Sequence, residues 1–70
     1  MFHIDRIEMK EIGQTIKKRR IQLGITQQTL ADLAEVGINT IVAIERGKGN
    51  PSVATLQKIA SVLGLELRLE

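Results

Sequence analysis

The stretch that decides the fold is Thr26-Gln27-Gln28-Thr29-Leu30-Ala31-Asp32-Leu33-Ala34-Glu35-Val36-Gly37-Ile38-Asn39-Thr40-Ile41-Val42-Ala43-Ile44-Glu45-Arg46-Gly47. It holds two short helical patterns separated only by Glu35, Val36 and Gly37. Thr26 is an N-cap residue, and Leu30, Ala31 and Leu33 or Ala34 recur at helical spacing, so Gln27 to Ala34 reads as a helix of barely two turns. The next pattern starts at Gly37 or a neighbour and runs to Arg46, with Ile41 and Ile44 inward and Gly47 supplying the left-handed residue that ends it. A link this short fixes the two helices at a steep mutual angle, as in a helix-turn-helix, and Val36 is the apolar residue to plug the corner.

Upstream, Ile12, Ile16 and Leu23 share a helical face with Met9 on its margin, which predicts an amphipathic helix from Lys10 to Leu23 ending at Gly24. Gly13 inside that helix costs about 1 kcal/mol relative to Ala, which points to a close helix approach there. Downstream, Lys48-Gly49-Asn50-Pro51 reads as a loop. Ser52 caps a fourth helix with Val53, Leu56, Ile59, Ala60 and Leu63 at helical spacing, closed by Gly64.

The final residues, Leu65-Glu66-Leu67-Arg68-Leu69-Glu70, switch to the alternation of a strand with one buried face. Such a strand needs a partner: either the weakly alternating segment Met1 to Ile7, with Phe2 and Ile4, or the same segment of a second molecule. Antiparallel pairing of two copies about Leu67 sets Glu66 opposite Arg68 and Leu65 opposite Leu69, so the charges favour a homodimer, with a frayed tail as the alternative. The expected organisation is mostly α: an N-terminal arm over 1–9, a helix-turn-helix domain of four to five short helices over 10–64, and a C-terminal dimerisation β-strand over 65–70.

Composition narrows the function. Seventy residues make one small domain, in which a pocket of roughly 300 Å³ walled on all sides is improbable. No Cys and a single His, His3, leave neither a disulfide framework nor a four-ligand zinc site, so neither a metal nor another cofactor is expected. Two serines, one His and unclustered acids give no nucleophile-base spacing, which argues against an enzyme. No apolar run approaches the roughly 18 residues of a membrane span, and acids occupy the N-terminus where a signal peptide needs apolar residues, so the expected location is cytoplasmic.

Residues 1–24 hold six bases and three acids, against four and five over 25–70, so positive charge gathers in the first third. Its densest part, Lys17-Lys18-Arg19-Arg20, is either a solvated face or a binding patch. With Phe2 the only aromatic residue, stacking on single-stranded nucleic acid is disfavoured and double-stranded DNA stays open.

Glu45, four residues after Ile41, falls beside the inward face, where a buried carboxylate needs a charged partner. Arg20 is the natural candidate, because its fork can hold a carboxylate at two points. The opposite face displays Asn39, Val42, Ala43 and Arg46, with Ile38 and Thr40 at the N-terminal turn. Ile38, Val42 and Ala43 suit thymine methyls and Asn39 suits adenine, which predicts an A·T-leaning DNA site; a docking patch for another protein or a second copy is the alternative. Gln27, at a helix N-terminus, is a candidate phosphate ligand, as are Arg46, Lys48 and the amides of Gly47 and Gly49.

Ile12-Gly13, Lys18 to Gln27, Leu30-Ala31, Ile44-Glu45-Arg46-Gly47-Lys48 and Asn50-Pro51-Ser52 together resemble the Cro/C1 (Xre) helix-turn-helix regulators, which have a lambda-repressor-like fold. The resemblance covers residues 11–64. It implies a third helix lying in the major groove, an Arg20–Glu45 pair, base reading from Ile38, Asn39 and Ala43, and phosphate binding by Gln27. Three departures stand out: Gly37 replaces the usual Ser or Thr at the cap, Ile38 and Val42 replace commonly polar residues, and Arg19 stands where Leu is frequent. The Arg19 stem is expected to cover the core while its head reaches water.

The ending, Val62 to Leu69, resembles HipB-like antitoxins, whose C-terminal strand joins two subunits. That likeness implies a homodimer that represses its own operon from a palindromic operator and holds a HipA-like kinase toxin. A stand-alone repressor and a protein-binding module on the same fold are the other readings.

Overall fold

The computed structural model describes residues 6–67, and side chains from position 8 onward. Four helices follow one another: α1 (Arg6–Gln22), α2 (Gln27–Ala34), α3 (Ile38–Glu45) and α4 (Val53–Leu63). The predicted caps form. Thr26 accepts a hydrogen bond from the Thr29 amide at 3.0 Å and Ser52 one from the Thr55 amide at 3.1 Å, each satisfying a donor that the first turn leaves open.

The first helix begins at Arg6, not Lys10, so residues 6–9 of the arm expected over 1–9 belong to the helix. Met9 explains the extension: it is buried in the core beside Ile16, and an added turn is what carries it there. Glu8 in the first turn and Arg19 and Arg20 in the last complement the helix dipole. Phe2, His3 and Ile4 lie outside the described residues.

All four helices end alike. A residue two or three positions past the helix donates to a carbonyl five residues back: Ile25 to Arg20, Val36 to Ala31, Lys48 to Ala43 and Leu65 to Ala60. Of these, Ile25, Val36 and Leu65 fold back onto the core. Glycine takes the left-handed position at three of these ends, whereas at the end of α2 it is Glu35, at φ 57°. Nothing in the residue type at position 35 announces that conformation.

Leu30, Ile41, Ile44, Leu56, Ile59 and Leu63, drawn from α2, α3 and α4, form the centre of the core, onto which α1 adds Met9 and Ile16. One expected core position turns outward, and one open choice is decided. Leu23, predicted on the inner face of α1, is 43% exposed, because the helix ends at Gln22 and the chain has begun to turn. Of the pair Leu33 or Ala34, it is Ala34 that packs, while Leu33 is 59% exposed. The hollow of about 400 Å³ between α1 and α4, lined by Ile12, Leu56, Leu65 and Leu67, is an open groove.

The C-terminal strand requires a correction within one chain. Leu65, Glu66 and Leu67 belong to no regular element, while Arg68, Leu69 and Glu70 lie outside the described residues. The physical reason is the one the sequence raises: a strand with no neighbour has no ladder to join. Leu65 and Leu67 do rest against the core with Glu66 exposed between them, so the alternation of faces is present without the strand.

Candidate nucleic-acid interface

The third helix is held from behind. At Gly13 of α1, a Cβ would overlap the Ile44 carbonyl oxygen, so a glycine lets the α1 backbone lie directly on the end of α3. At Gly47, with φ 74°, a Cβ would stand 2.9 Å from Lys10 Cα. The close approach inferred at Gly13 is therefore real, and Gly47 is its counterpart from the other side.

Below this contact Arg20 grips Glu45 at two points, Nε to Oε2 at 2.7 Å and Nη2 to Oε1 at 2.9 Å. Its third nitrogen, Nη1, donates to the Ile25 carbonyl at 2.9 Å. The side chains are only 12% and 3% exposed, so this is a largely desolvated pair with its donors and acceptors matched. The hydrogen bond to Glu45 raises the Arg20 pKa above its ordinary value, against the opposing effect of burial. Gln27 joins the same carboxylate, its Nε2 donating to Glu45 Oε1 at 3.2 Å. One amide hydrogen of Gln27 is thus committed inward, and the second hydrogen and the carbonyl oxygen are what it can present to a ligand. Three helices are pinned at one carboxylate.

The basic run of α1 divides. Arg20 is internal, and Arg19, half-buried, donates from Nε to the Leu63 carbonyl at 2.9 Å, so part of its head closes the end of α4. The orphan carbonyl at a helix terminus is a better partner for the guanidinium than solvent is. Lys17 and Lys18 are the fully exposed half of the run.

On the outer side of α3, Asn39 and Arg46 are exposed, and Thr40, Val42 and Ala43 are half-buried. Ile38 differs from its expected role. It packs against the core one turn before Ile41, which leaves only part of its side chain for a base. Asn39, Thr40 and Ala43 meet Gly49, Asn50 and Pro51 around an open hollow of about 300 Å³. At the helix start Gly37 makes no side-chain cap, although its carbonyl accepts from the Thr40 amide at 3.0 Å. The first amides of α3 are therefore open on the outer side.

Lys48 is exposed beyond the end of α3, but of the amides expected as phosphate ligands that of Gly47 needs correction. Gly47 N–H donates to the Ile44 carbonyl at 2.9 Å, and Lys48 N–H to Ala43 at 2.9 Å, so both are spent closing the helix.

The helix-turn-helix family matches residues 16–69 of the chain. The chain belongs to the Cro/C1-type helix-turn-helix family of transcriptional regulators. This Cro/C1-type regulator is 41% identical over 51 residues to an uncharacterised helix-turn-helix-type transcriptional regulator of Methanothermobacter thermautotrophicus, an overlap of 73% of this chain and 74% of the relative. It is 38% identical over 56 residues, 80% of its length, to the immunity repressor protein of Bacillus phage phi105, of which it spans only 39%. Among solved structures it is similar to the restriction-modification controller protein C.AhdI from Aeromonas hydrophila, with a TM-score of 0.80 at 30% identity over 86% of this chain and 91% of that one. The family is one of DNA-binding regulators, not of enzymes. Among the described residues no helix of this regulator is long and apolar enough to cross a membrane.

Proposed function

We propose that the protein is a repressor that binds double-stranded DNA as a homodimer, laying α3 of each copy in successive major grooves of a palindromic operator. The observation that carries this reading is the division of α3: its inner side is fixed to α1 and α2 through Glu45 and Gly13, while Asn39, Thr40 and Ala43 face outward with Arg46 and Lys48 at the far end. Phosphate contacts from Gln27, Arg46 and Lys48 supply affinity. Asn39, Thr40, Ala43 and the open part of Ile38 supply sequence choice. Half-site centres then fall about 34 to 36 Å apart, one turn of duplex. Occupying promoter DNA is itself the repressing act.

The second copy is brought in by residues 65–70. Leu65, Leu67 and Leu69 supply the buried side, and Glu66 pairs across the axis with Arg68 of the second copy. The likeness of Val62 to Leu69 to HipB-like antitoxins extends the proposal to an autoregulating antitoxin that holds a HipA-like kinase. A kinase-like gene beside this one, and co-purification of its product with this chain, is the result this extension requires. A stand-alone repressor shows neither.

Binding of duplex DNA across a salt series tests the main reading. Affinity should fall steeply from low to moderate salt as counterions are released, whereas an apolar protein-docking face would barely respond. Asn39→Ala should cost about 1 to 3 kcal/mol at one base position, while Lys48→Ala weakens all sequences alike. Equal losses on every sequence for Asn39→Ala would remove its reading role. Sedimentation of the chain lacking residues 65–70 should show a monomer, about half the mass of the full-length dimer, and a shortened chain that still sediments as a dimer would end the strand-pairing proposal.

A further inference from the structure

The close seat of α1 on the end of α3 has an electrostatic result. A Cβ on Gly47 would stand 2.9 Å from Lys10 Cα and 3.3 Å from Lys10 Cβ, so Lys10 emerges beside the loop that carries Lys48. Gly13 and Arg20 both face α3 from α1. Lys17 lies four residues after Gly13, three before Arg20 and seven after Lys10, and helical spacing puts it on the same flank as Lys10. About 10 Å of helix separates the two lysines. Both are exposed, and neither makes an ion pair among the described residues. Arg19 and Arg20, the neighbours of greatest charge density, are turned inward on Leu63 and Glu45. The cations left on this side of the molecule thus run from Lys48 and Arg46 onto α1.

We propose that Lys10 and Lys17 each contact a phosphate of bound duplex, so that the nucleic-acid interface continues from the end of α3 along the adjoining flank of α1. The proposal rests on the reading that DNA lies against α3. It adds a second strip of backbone contacts, made by a helix outside the helix-turn-helix itself. Each ammonium is a flexible point charge that follows the backbone without reading sequence, so the strip adds affinity and anchors the orientation of α3.

The test uses the full chain and a mixed-sequence duplex of about three helical turns, with affinity measured from low to moderate salt. Lys10→Gln and Lys17→Gln should each reduce the slope of log affinity against log salt by about 0.9, the value of one lost phosphate contact. Lys10→Arg should keep the wild-type slope, because the charge stays. Lys58→Gln, on α4 at the groove facing α2, is the control for net charge and should leave the slope unchanged. Wild-type protein that binds with a steep slope which neither Lys10→Gln nor Lys17→Gln alters overturns the strip and leaves the α3 reading standing. Wild-type protein with no salt-dependent affinity for duplex overturns both.

Discussion

The two ends of α3 are built on opposite principles. Its C-terminal end is locked to α1 by two glycines and to α1 and α2 by the carboxylate of Glu45, with hydrogen bonds of 2.7 and 2.9 Å from Arg20. Its N-terminal end starts at a bare glycine with no side-chain cap, after a turn whose pivot, Glu35, sits in the left-handed region at φ 57°. Rigidity lies where the helix meets the rest of the protein, and open amides lie at its free end. The proposed reading role needs this asymmetry: the helix angle must be set by the scaffold, while the donors at its tip stay free for a partner.

The strongest way to break the comparison is at the ion pair. Arg20→Ala leaves Glu45 desolvated without its partner and should lower stability by about 3 to 5 kcal/mol, seen as a fall in the urea midpoint at constant slope. A loss below about 1 kcal/mol would mean the pair behaves as an exposed one. The pH dependence has a definite sign. Because the folded-state pKa of Arg20 is raised, its contribution is complete below the ordinary guanidinium pKa and is lost only as pH climbs through the higher folded value. Unfolding measured from neutral to moderately alkaline pH should therefore show no loss from this group.

Next in size is Gly13→Ala. Its methyl would overlap the Ile44 carbonyl, and backbone cannot move aside as a side-chain tip can, so a cost of about 1 to 3 kcal/mol follows, with α1 displaced from α3. Alanine normally favours a helix interior. A stabilised Gly13→Ala protein would show that the two helices do not touch there.

At the other end the expected effects are smaller and of opposite sign. Glu35→Gly relieves a left-handed residue with a Cβ and should stabilise by about 1 kcal/mol after the entropy of the glycine is counted. Gly37→Ser should add the missing cap: φ is −69°, and the nearest atom to an added Cβ is Thr40 Oγ1 at 3.9 Å, so the site accepts a side chain. A gain of about 0.5 kcal/mol in thermal unfolding is expected. If both substitutions destabilise, the N-terminal end is as constrained as the C-terminal one and the contrast fails.

Much of this was legible because it is local. The caps at Thr26 and Ser52, the closures at Gly24, Gly47 and Gly64, and the inward pairs Leu30–Ala31 and Ile41–Ile44 each follow from residue type and spacing within a few positions. The Arg20–Glu45 pair was reachable too, since a carboxylate on an apolar face demands a cation. The misses share another character. The start of α1 depended on Met9 finding room in a core made by three other helices, the outward turn of Leu23 on where that helix stopped, and the role of Arg19 on the end of α4 arriving beside it. Ile38 was assigned to the groove by its chemistry, and packing claimed part of it.

The sequence by itself determined the four helices, their order and the family, because turn chemistry and periodicity act over distances shorter than one helix. Tertiary structure decided which cations remain outside and which flank of α1 adjoins α3. Those outcomes depend on pairs of residues 25 to 44 positions apart along the chain, as Arg20 with Glu45 and Arg19 with Leu63 show, and only packing brings such pairs together.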